Sequence, residues 1–209
     1  DSHSFASSSN PKSGTFTIGA TAPVLNQEHF QIFQDDAGLN SATQYAVEDA
    51  NYNVALETNF RIRFQIANTG DGAENITRRL EFKEDSGFWT QITTNSNNIR
   101  LVDSSNFTDA DATTAVLTAT GTFTAGQGKD TGSDTSQISL TNGYYTEDEY
   151  SLKFESTADN HAYQFRITNA GVELDTYSAT PIINFRGAGL RIENDSLRIS
   201  NGQLRVEVK

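Results

Sequence analysis

Strict alternation between apolar and polar side chains runs from Asn59 to Ala67 and constrains the fold more than any other feature of the chain. Neighbouring side chains of an extended chain point to opposite faces, so the alternation predicts a strand with one face in a core and the other in water. Shorter segments with the same pattern recur between residues 29 and 185. The alternating residues are Phe60, Ile62, Phe64 and Ile66 on the apolar face and Arg61, Arg63 and Gln65 on the polar face.

These recurring segments predict an all-β fold, a single two-sheet antiparallel β-sandwich of the jelly-roll or immunoglobulin-like type. The best helical window, residues 45–56, is interrupted by Asp49, Asn51 and Asn53. No change in composition divides the middle of the chain, so residues 24–185 are interpreted as one domain. The predicted strands are residues 29–34, 59–67, 79–84, 88–93, 99–102, 115–124, 137–140, 150–154, 162–167, 172–177 and 181–185, with a glycine-rich turn predicted at 126–133.

Residues 1–23 are interpreted as an N-terminal arm. The segment from Ser4 to Ser13 is serine-rich and has too little apolar content to fold alone. Phe16 and Ile18 share one face of a short predicted strand, which makes the arm a candidate donor strand for another subunit. The chain starts with Asp1 rather than methionine, as removal of a secretory signal peptide would leave it, with trimming as the alternative. We therefore expect an extracellular or cell-surface protein.

Residues 186–209 repeat one unit, Leu-Arg-aliphatic, three times at a spacing of seven residues. A glycine-containing hinge at 186–189 precedes the repeats, and polar turn formers separate them. We predict a C-terminal β-meander tail that needs a surface to pack on, since even a two-stranded hairpin is marginally stable in water. The aliphatic residues predicted to make assembly contacts are Leu190, Ile192, Leu197, Ile199, Leu204 and Val206.

Charge and composition exclude several classes of function. The 209 residues carry a net charge of −12, which disfavours nonspecific binding to nucleic acid or to anionic membranes. Cysteine is absent, so thiol catalysis and thiolate metal sites are excluded. No stretch reaches the roughly 20 apolar residues of a membrane-spanning helix.

Catalytic motifs are also missing, and we expect no enzyme activity and no obligatory cofactor. The three histidines, His3, His29 and His161, include no close pair at the spacing of zinc ligands, and no nucleophile-elbow pattern occurs. The acidic run Glu147-Asp148-Glu149 is interpreted as a solvated charge run rather than a catalytic carboxylate pair.

Two weaker ligand predictions remain. Asp103, Asp109 and Asp111 gather oxygen donors in one segment and form a candidate calcium site, although such residues also cluster in turns to bond their own backbone. A glycan could stack on exposed aromatic rings, although core packing is the alternative for each of them. The aromatic candidates are Trp89, Tyr144 and Tyr145.

Two sets of residues carry a resemblance to known proteins. The run Phe60–Ala73, a strand followed by Asn-Thr-Gly-Asp, resembles adhesion-type β-sandwich modules of secreted bacterial and archaeal proteins. The stretches Arg100–Asp109 and Leu174–Ile183 resemble an uncharacterised domain of large bacterial surface proteins and some phage structural proteins. The resemblance covers roughly residues 29–185 and implies a sandwich fold in an extracellular or virion setting, with no catalytic residues.

The function predicted from the sequence is that of a non-enzymatic structural subunit. It self-assembles into an extracellular filament or surface layer, by strand exchange between copies of the same chain. The alternatives are a phage tail or decoration protein and an adhesion module that binds a glycan or another protein. The competing interpretation of both terminal segments is that they fold back on their own domain.

Overall fold

A computed structural model describes residues 22–185 together with residues 192–193 and 196–197. Within these ranges every regular element is a strand except one 3-10 turn at Ser156–Ala158, which confirms the all-β prediction. No helix in the described ranges is long and apolar enough to span a membrane. The strands are β1 (Leu25–Gln34), β2 (Asn59–Asn68), β3 (Glu74–Ile76), β4 (Arg78–Glu84), β5 (Thr90–Gln91), β6 (Ile99–Leu101), β7 (Thr122–Lys129), β8 (Ile138–Leu140), β9 (Tyr144–Phe154), β10 (Ala162–Asn169), β11 (Val172–Glu173), β12 (Thr176–Tyr177), β13 (Ile182–Asn184), β14 (Ile192–Glu193) and β15 (Ser196–Leu197).

Two larger sheets organise the described residues. The six-stranded sheet has the order β12-β1-β2-β9-β6, and β7 also pairs with β9. The five-stranded sheet has the order β11-β10-β4-β5, and β13 also pairs with β10. Strand β9 is the centre of the first sheet because β2 occupies one of its edges, while β7 and β6 share the other edge in succession.

The apolar core takes alternate side chains from both sheets. Phe154 of β9 sits at its centre, with the Phe185 ring 4.6 Å, the Tyr163 ring 4.9 Å and the Phe60 ring 5.4 Å from its own, centroid to centroid. The Phe165 ring lies 6.2 Å away at an interplanar angle of 72°. The predicted apolar face of β2 is part of this core, and each of its four side chains is fully buried.

The opposite face of β2 is buried as well, which corrects the half-buried strand predicted from the alternation. Arg61, Arg63 and Gln65 have no exposed surface. Loop residues cover this face, and their backbone oxygens accept hydrogen bonds from the two arginines, for example Leu39 O from Arg63 Nη2 at 2.8 Å. Local alternation cannot reveal this cover because the loops come from distant parts of the sequence.

The outer edges of two strands are already bonded by neighbouring segments. The loop at 43–49 pairs with β1, where Tyr45 donates its N–H to Ile32 O at 2.9 Å. On β13, the side-chain oxygens of Asn51 and Asn53 accept the N–H groups of Ile182 and Asn184 at 2.8 and 3.0 Å. These contacts satisfy donors and acceptors that an open edge would offer to another chain.

The predicted glycine-rich turn at 126–133 is wrong in its first half, because Gly126–Lys129 belong to β7. This strand runs parallel to β9, with a register shift between Ala125 and Gly128. A Cβ atom on Gly126 would lie 2.0 Å from the backbone oxygen of Glu147, so only glycine permits the close approach. Glycine here serves strand contact rather than a turn.

The described chain enters and leaves at opposite ends of the sheets. Ala22 accepts the Gly72 N–H at 3.3 Å, next to the β2 terminus that pairs with Tyr145. Phe185 packs edge-to-face against Phe154, at the other terminus of β9. Phe154 follows Tyr145 by nine positions along β9, which corresponds to about 30 Å of strand. We call these the entry end and the exit end.

Most of the predicted assembly residues lie outside the described ranges. In the tail, the backbone pairs Ile192 with Leu197 and Glu193 with Ser196 in a two-residue antiparallel ladder. The assembly residues outside the described ranges are Phe16, Ile18, Leu190, Ile199, Leu204 and Val206.

Candidate functional site

The acidic run on β9 is buried, which corrects its interpretation as a solvated charge run. Glu147 and Asp148 have no exposed surface, and Glu149 is 1% exposed. Because side chains alternate along a strand, Glu147 and Glu149 point to the face that carries Arg61 and Arg63 of β2. Asp148 points to the opposite face.

Two arginines and two glutamates form one buried ion network between β2 and β9. Arg63 donates to Glu149 Oε2 at 2.7 Å through Nε and to Glu147 Oε2 at 3.0 Å through Nη1. Arg61 donates to Glu149 Oε1 at 2.9 Å, and its Nε donates to Asp35 Oδ1 at 2.7 Å. Each charge in this network has a partner of opposite sign, as burial of charge requires.

The network also fixes the loops that cover it. Glu147 accepts the N–H groups of Val116 and Leu117 at 3.0 Å each. Arg63 Nη1 donates to Thr114 O at 2.8 Å, and Arg61 donates to the Ala37 carbonyl. The carboxylates are therefore committed to arginine and backbone donors, an arrangement that anchors loops rather than one that offers a free acid or base.

A second buried pair joins the two sheets. Arg78 of β4 binds Asp148 of β9 through two parallel hydrogen bonds, Nε to Oδ2 at 2.8 Å and Nη2 to Oδ1 at 2.9 Å. Asp148 Oδ1 also accepts the Gln127 N–H from β7 at 2.8 Å. Bidentate arginine–carboxylate pairs are directional, so this contact fixes the relative position of three strands.

The carboxyl groups of Glu147 and Asp35 have pKa values shifted in opposite directions. Burial raises the pKa of Glu147 above its ordinary value of 4.5, and the opposing effect of Arg63 does not cancel it. Burial also opposes ionisation of Asp35, but hydrogen bonds from Ser104, Asn106 and Arg61 outweigh it and lower the pKa below 3.8. Asp35 therefore stabilises the folded protein as an anion.

Replacement of Asp35 by asparagine should cost about 1–3 kcal/mol of unfolding free energy at pH 7, because hydrogen bonds to a charged group are lost. A lowered pKa contributes stability above its unfolded value of 3.8, and this contribution disappears as pH falls through the folded pKa. The difference between wild type and Asp35→Asn should therefore shrink toward about pH 2.5 in urea titrations. A difference that stays constant from pH 7 downward would contradict the assignment.

Two of the three carboxylates predicted to bind calcium point to separate partners. Asp109 accepts the Lys129 ammonium at 2.7 Å, and Asp111 accepts the Thr108 N–H at 2.8 Å within its own turn. Asp103 is exposed. Asp130, which the sequence did not single out, is 2% exposed, and burial together with the charges of Asp109 and Asp103 raises its pKa. Within the described ranges these aspartates do not converge as a set of metal ligands.

A cleft of about 490 Å³ opens at the entry end. Tyr144 lines it and is 38% exposed, whereas Tyr145 is buried. Trp89 lies elsewhere, with the Arg166 guanidinium carbon 4.2 Å and the Lys83 ammonium 4.8 Å from its ring centroid. Two cationic side chains therefore already contact the Trp89 ring. Of the three predicted aromatic residues, Tyr144 is the one that faces an open cleft. The cleft is lined by Asn26, Glu28, His29, Ala67, Asn68, Thr69, Thr118, Ala119, Thr120, Gly143, Tyr144 and Ser178.

No family model matches the chain, and comparison with curated proteins and with solved structures found no match. The resemblance to adhesion-type and phage domains therefore stays a prediction. Interpretation of the site depends on its own geometry.

Proposed function

We propose that this protein is a non-enzymatic structural subunit, a β-sandwich that assembles head to tail into an extracellular filament or surface layer. The observation that carries the proposal is the position of Ala22 and Phe185 at opposite ends of the sheets. Terminal segments that start from opposite ends can reach different neighbours. A contact between unlike ends is heterologous, and it propagates into an open polymer unless the rotation closes a ring.

The C-terminal segment of one subunit is assigned to the entry end of the next. Residues 1–185 carry 10 basic and 24 acidic side chains, a net charge of −14, whereas residues 186–209 carry 5 and 3, a net charge of +2. At the entry end, Glu28 lines the cleft, and Asp71 and Asp175 are exposed nearby. Surface ion pairs contribute only about 0–1 kcal/mol each, so charge guides this contact while backbone pairing and apolar contacts hold it.

The bonded edges of β1 and β13 support a role for the terminal segments in assembly. Because loops and asparagine side chains already bond these edges, a strand from a neighbour needs another acceptor. The short ladder of β14 and β15 is too small to be stable alone and offers such an edge. Strand exchange between this ladder and the arm of the next subunit, with Phe16 and Ile18 on the inner face, completes the proposed contact.

Two truncated chains test this arrangement, one lacking residues 1–21 and one lacking residues 186–209. Light scattering after size-exclusion chromatography should give multimers for the full chain and single subunits for each truncated chain. An equimolar mixture should give pairs that do not grow, because one partner supplies the tail and the other supplies the arm.

Thermal melts serve as the control for these truncations. Both variants should unfold close to the temperature of the full chain, since they retain residues 22–185 and hence the whole described core. Multimers of unchanged size for both truncated chains would refute assembly through the termini. Single subunits for the full chain itself would refute the filament proposal.

A further inference from the structure

His29 lies against two carboxylates near the entry end. Its Nδ1 atom is 2.6 Å from Asp49 Oδ2 and 3.2 Å from Glu48 Oε1. The second oxygen of each carboxylate is held from outside, because Asp49 Oδ1 accepts the Phe30 N–H at 2.9 Å and Glu48 Oε2 accepts the Thr118 N–H at 2.7 Å. We call the three side chains His29, Glu48 and Asp49 the His29 cluster.

The same arrangement recurs near the exit end, in the other sheet. His161 Nδ1 is 2.9 Å from Asp85 Oδ2 and 3.0 Å from Glu84 Oε1. Asp85 Oδ1 accepts the Ala162 N–H at 2.9 Å, and Glu84 Oε2 accepts the Asn98 Nδ2 hydrogen at 2.6 Å. These three side chains, Glu84, Asp85 and His161, form the His161 cluster.

The inner atoms of the two clusters correspond one to one, while the outer donor to the glutamate is a backbone N–H in one and a side-chain amide in the other. In each, a Glu-Asp dipeptide supplies one oxygen per carboxylate to the same ring nitrogen, and the N–H that follows the histidine orients the aspartate. The aspartate backbone is left-handed in both, with φ of 61° at Asp49 and 50° at Asp85. Outer hydrogen bonds of this kind orient the ligands of metal sites and leave the inner oxygens directed at the ion.

Either a shared proton or a metal ion can join these three atoms. Nδ1 carries at most one hydrogen, which both carboxylates would have to share in a three-centre bond. A metal ion accepts all three atoms, and ligands about 2.0–2.2 Å from one tetrahedral zinc ion are spaced about 3.3–3.6 Å from each other. The observed separations from Nδ1, 2.6–3.2 Å, are shorter, so the carboxylate oxygens would move outward to admit the ion, and in each cluster the three ligand atoms already lie within 4.8 Å of one another.

We propose that each cluster binds one divalent transition-metal ion through the histidine Nδ1, the aspartate Oδ2 and the glutamate Oε1. Imidazole together with carboxylates favours first-row transition metals, whereas calcium prefers an all-oxygen set. The six side chains are 24–38% exposed, so water can complete the coordination sphere. No local pattern reveals either site, because each histidine is 19 or more residues from its carboxylates.

Equilibrium dialysis of the chelator-treated full chain against zinc chloride tests the proposal. Wild type should bind two zinc ions per chain, His29→Ala and His161→Ala one each, and the double variant none. His3→Ala is the matched control, since His3 belongs to neither cluster, and it should still bind two. Stoichiometry is counted per chain, so the result does not depend on whether the subunits assemble.

A second pair of variants covers the case in which the histidine variants fold poorly. Asp49→Asn and Asp85→Asn keep an oxygen for the Phe30 and Ala162 N–H groups but remove the charge at the metal. Each should weaken zinc binding at its own cluster at least tenfold and leave the other cluster unchanged. Absence of zinc binding to wild type, or two ions bound by either histidine variant, would overturn the proposal.

Discussion

Replacement of Arg63 by methionine should lower the free energy of unfolding by about 3–5 kcal/mol, because it leaves buried carboxylates without their partner. Arg63 has no exposed surface and bonds both Glu147 and Glu149. Methionine fills much of the same volume, so the loss is mainly electrostatic. Urea denaturation followed by circular dichroism measures the change, with an unchanged slope indicating that the folded state is retained.

Arg79→Met is the matched control for this prediction. Arg79 also lies on a strand and binds one carboxylate, Asp134, through two hydrogen bonds at 2.7 and 2.8 Å. Its side chain is 25% exposed and that of Asp134 is 41% exposed, so its loss should cost about 1 kcal/mol or less. Equal losses for the two variants would show that the buried network is not the source of the stability.

The double variant Arg63→Met with Glu149→Gln gives a further check. Removal of both partners leaves fewer uncompensated charges than removal of one, so the double variant should lose less stability than the sum of the single variants. The expected coupling is about 0.5–3 kcal/mol. Additive losses would mean that the two residues contribute independently.

Replacement of Phe154 by alanine should lower the free energy of unfolding by about 3–5 kcal/mol. The cause here is a cavity in the core rather than the loss of a charge partner. Phe154 is fully buried and contacts aromatic rings from both sheets, including Phe60 and Tyr163. Close-packed cores relax only partly around a deletion of this size, so the surrounding rings lose contacts. Thermal and urea denaturation should agree on the loss.

Phe88→Ala is the corresponding control, since Phe88 is 94% exposed. Its replacement should change the unfolding free energy by no more than about 0.5 kcal/mol. A loss below about 1 kcal/mol for Phe154→Ala would indicate that the rings close over the vacated space, contrary to the packing described above.

Alternation in the sequence predicted the strands with one apolar face and failed where both faces are buried. The inner face of β2 and the facing residues of β10 follow their patterns, so the core was predictable. Strand β9 was predicted to start at Tyr150, yet it starts at Tyr144, because a run of three carboxylates resembles a solvated segment. Arg63 and Glu147, 84 residues apart, become partners only through sheet pairing, which no local pattern encodes.

For the candidate sites, too, closeness in sequence did not predict which side chains lie together in the fold. Asp103, Asp109 and Asp111 are close in sequence, so composition grouped them, but Asp109 bonds to Lys129 and Asp111 bonds to the backbone of its own turn. The two histidine clusters join residues that are separated by 19–20 positions in one case and 76–77 in the other. Long-range topology brings these residues together, so the three-dimensional arrangement was required to find them.

The buried ion network between β2 and β9 also specifies which residues of the two strands may face each other. If β9 slipped by one residue against β2, its two faces would be exchanged. Glu147 and Glu149 would then point into the apolar core, and Tyr150 would point away from it. In most sheets such a slip is unfavourable because it exposes apolar groups. Here the slip would also bury charges without partners in a low-dielectric interior. The network therefore favours a single alignment of β2 on β9. If subunits exchange strands as proposed, a central sheet with one alignment keeps the acceptor edge in a fixed position.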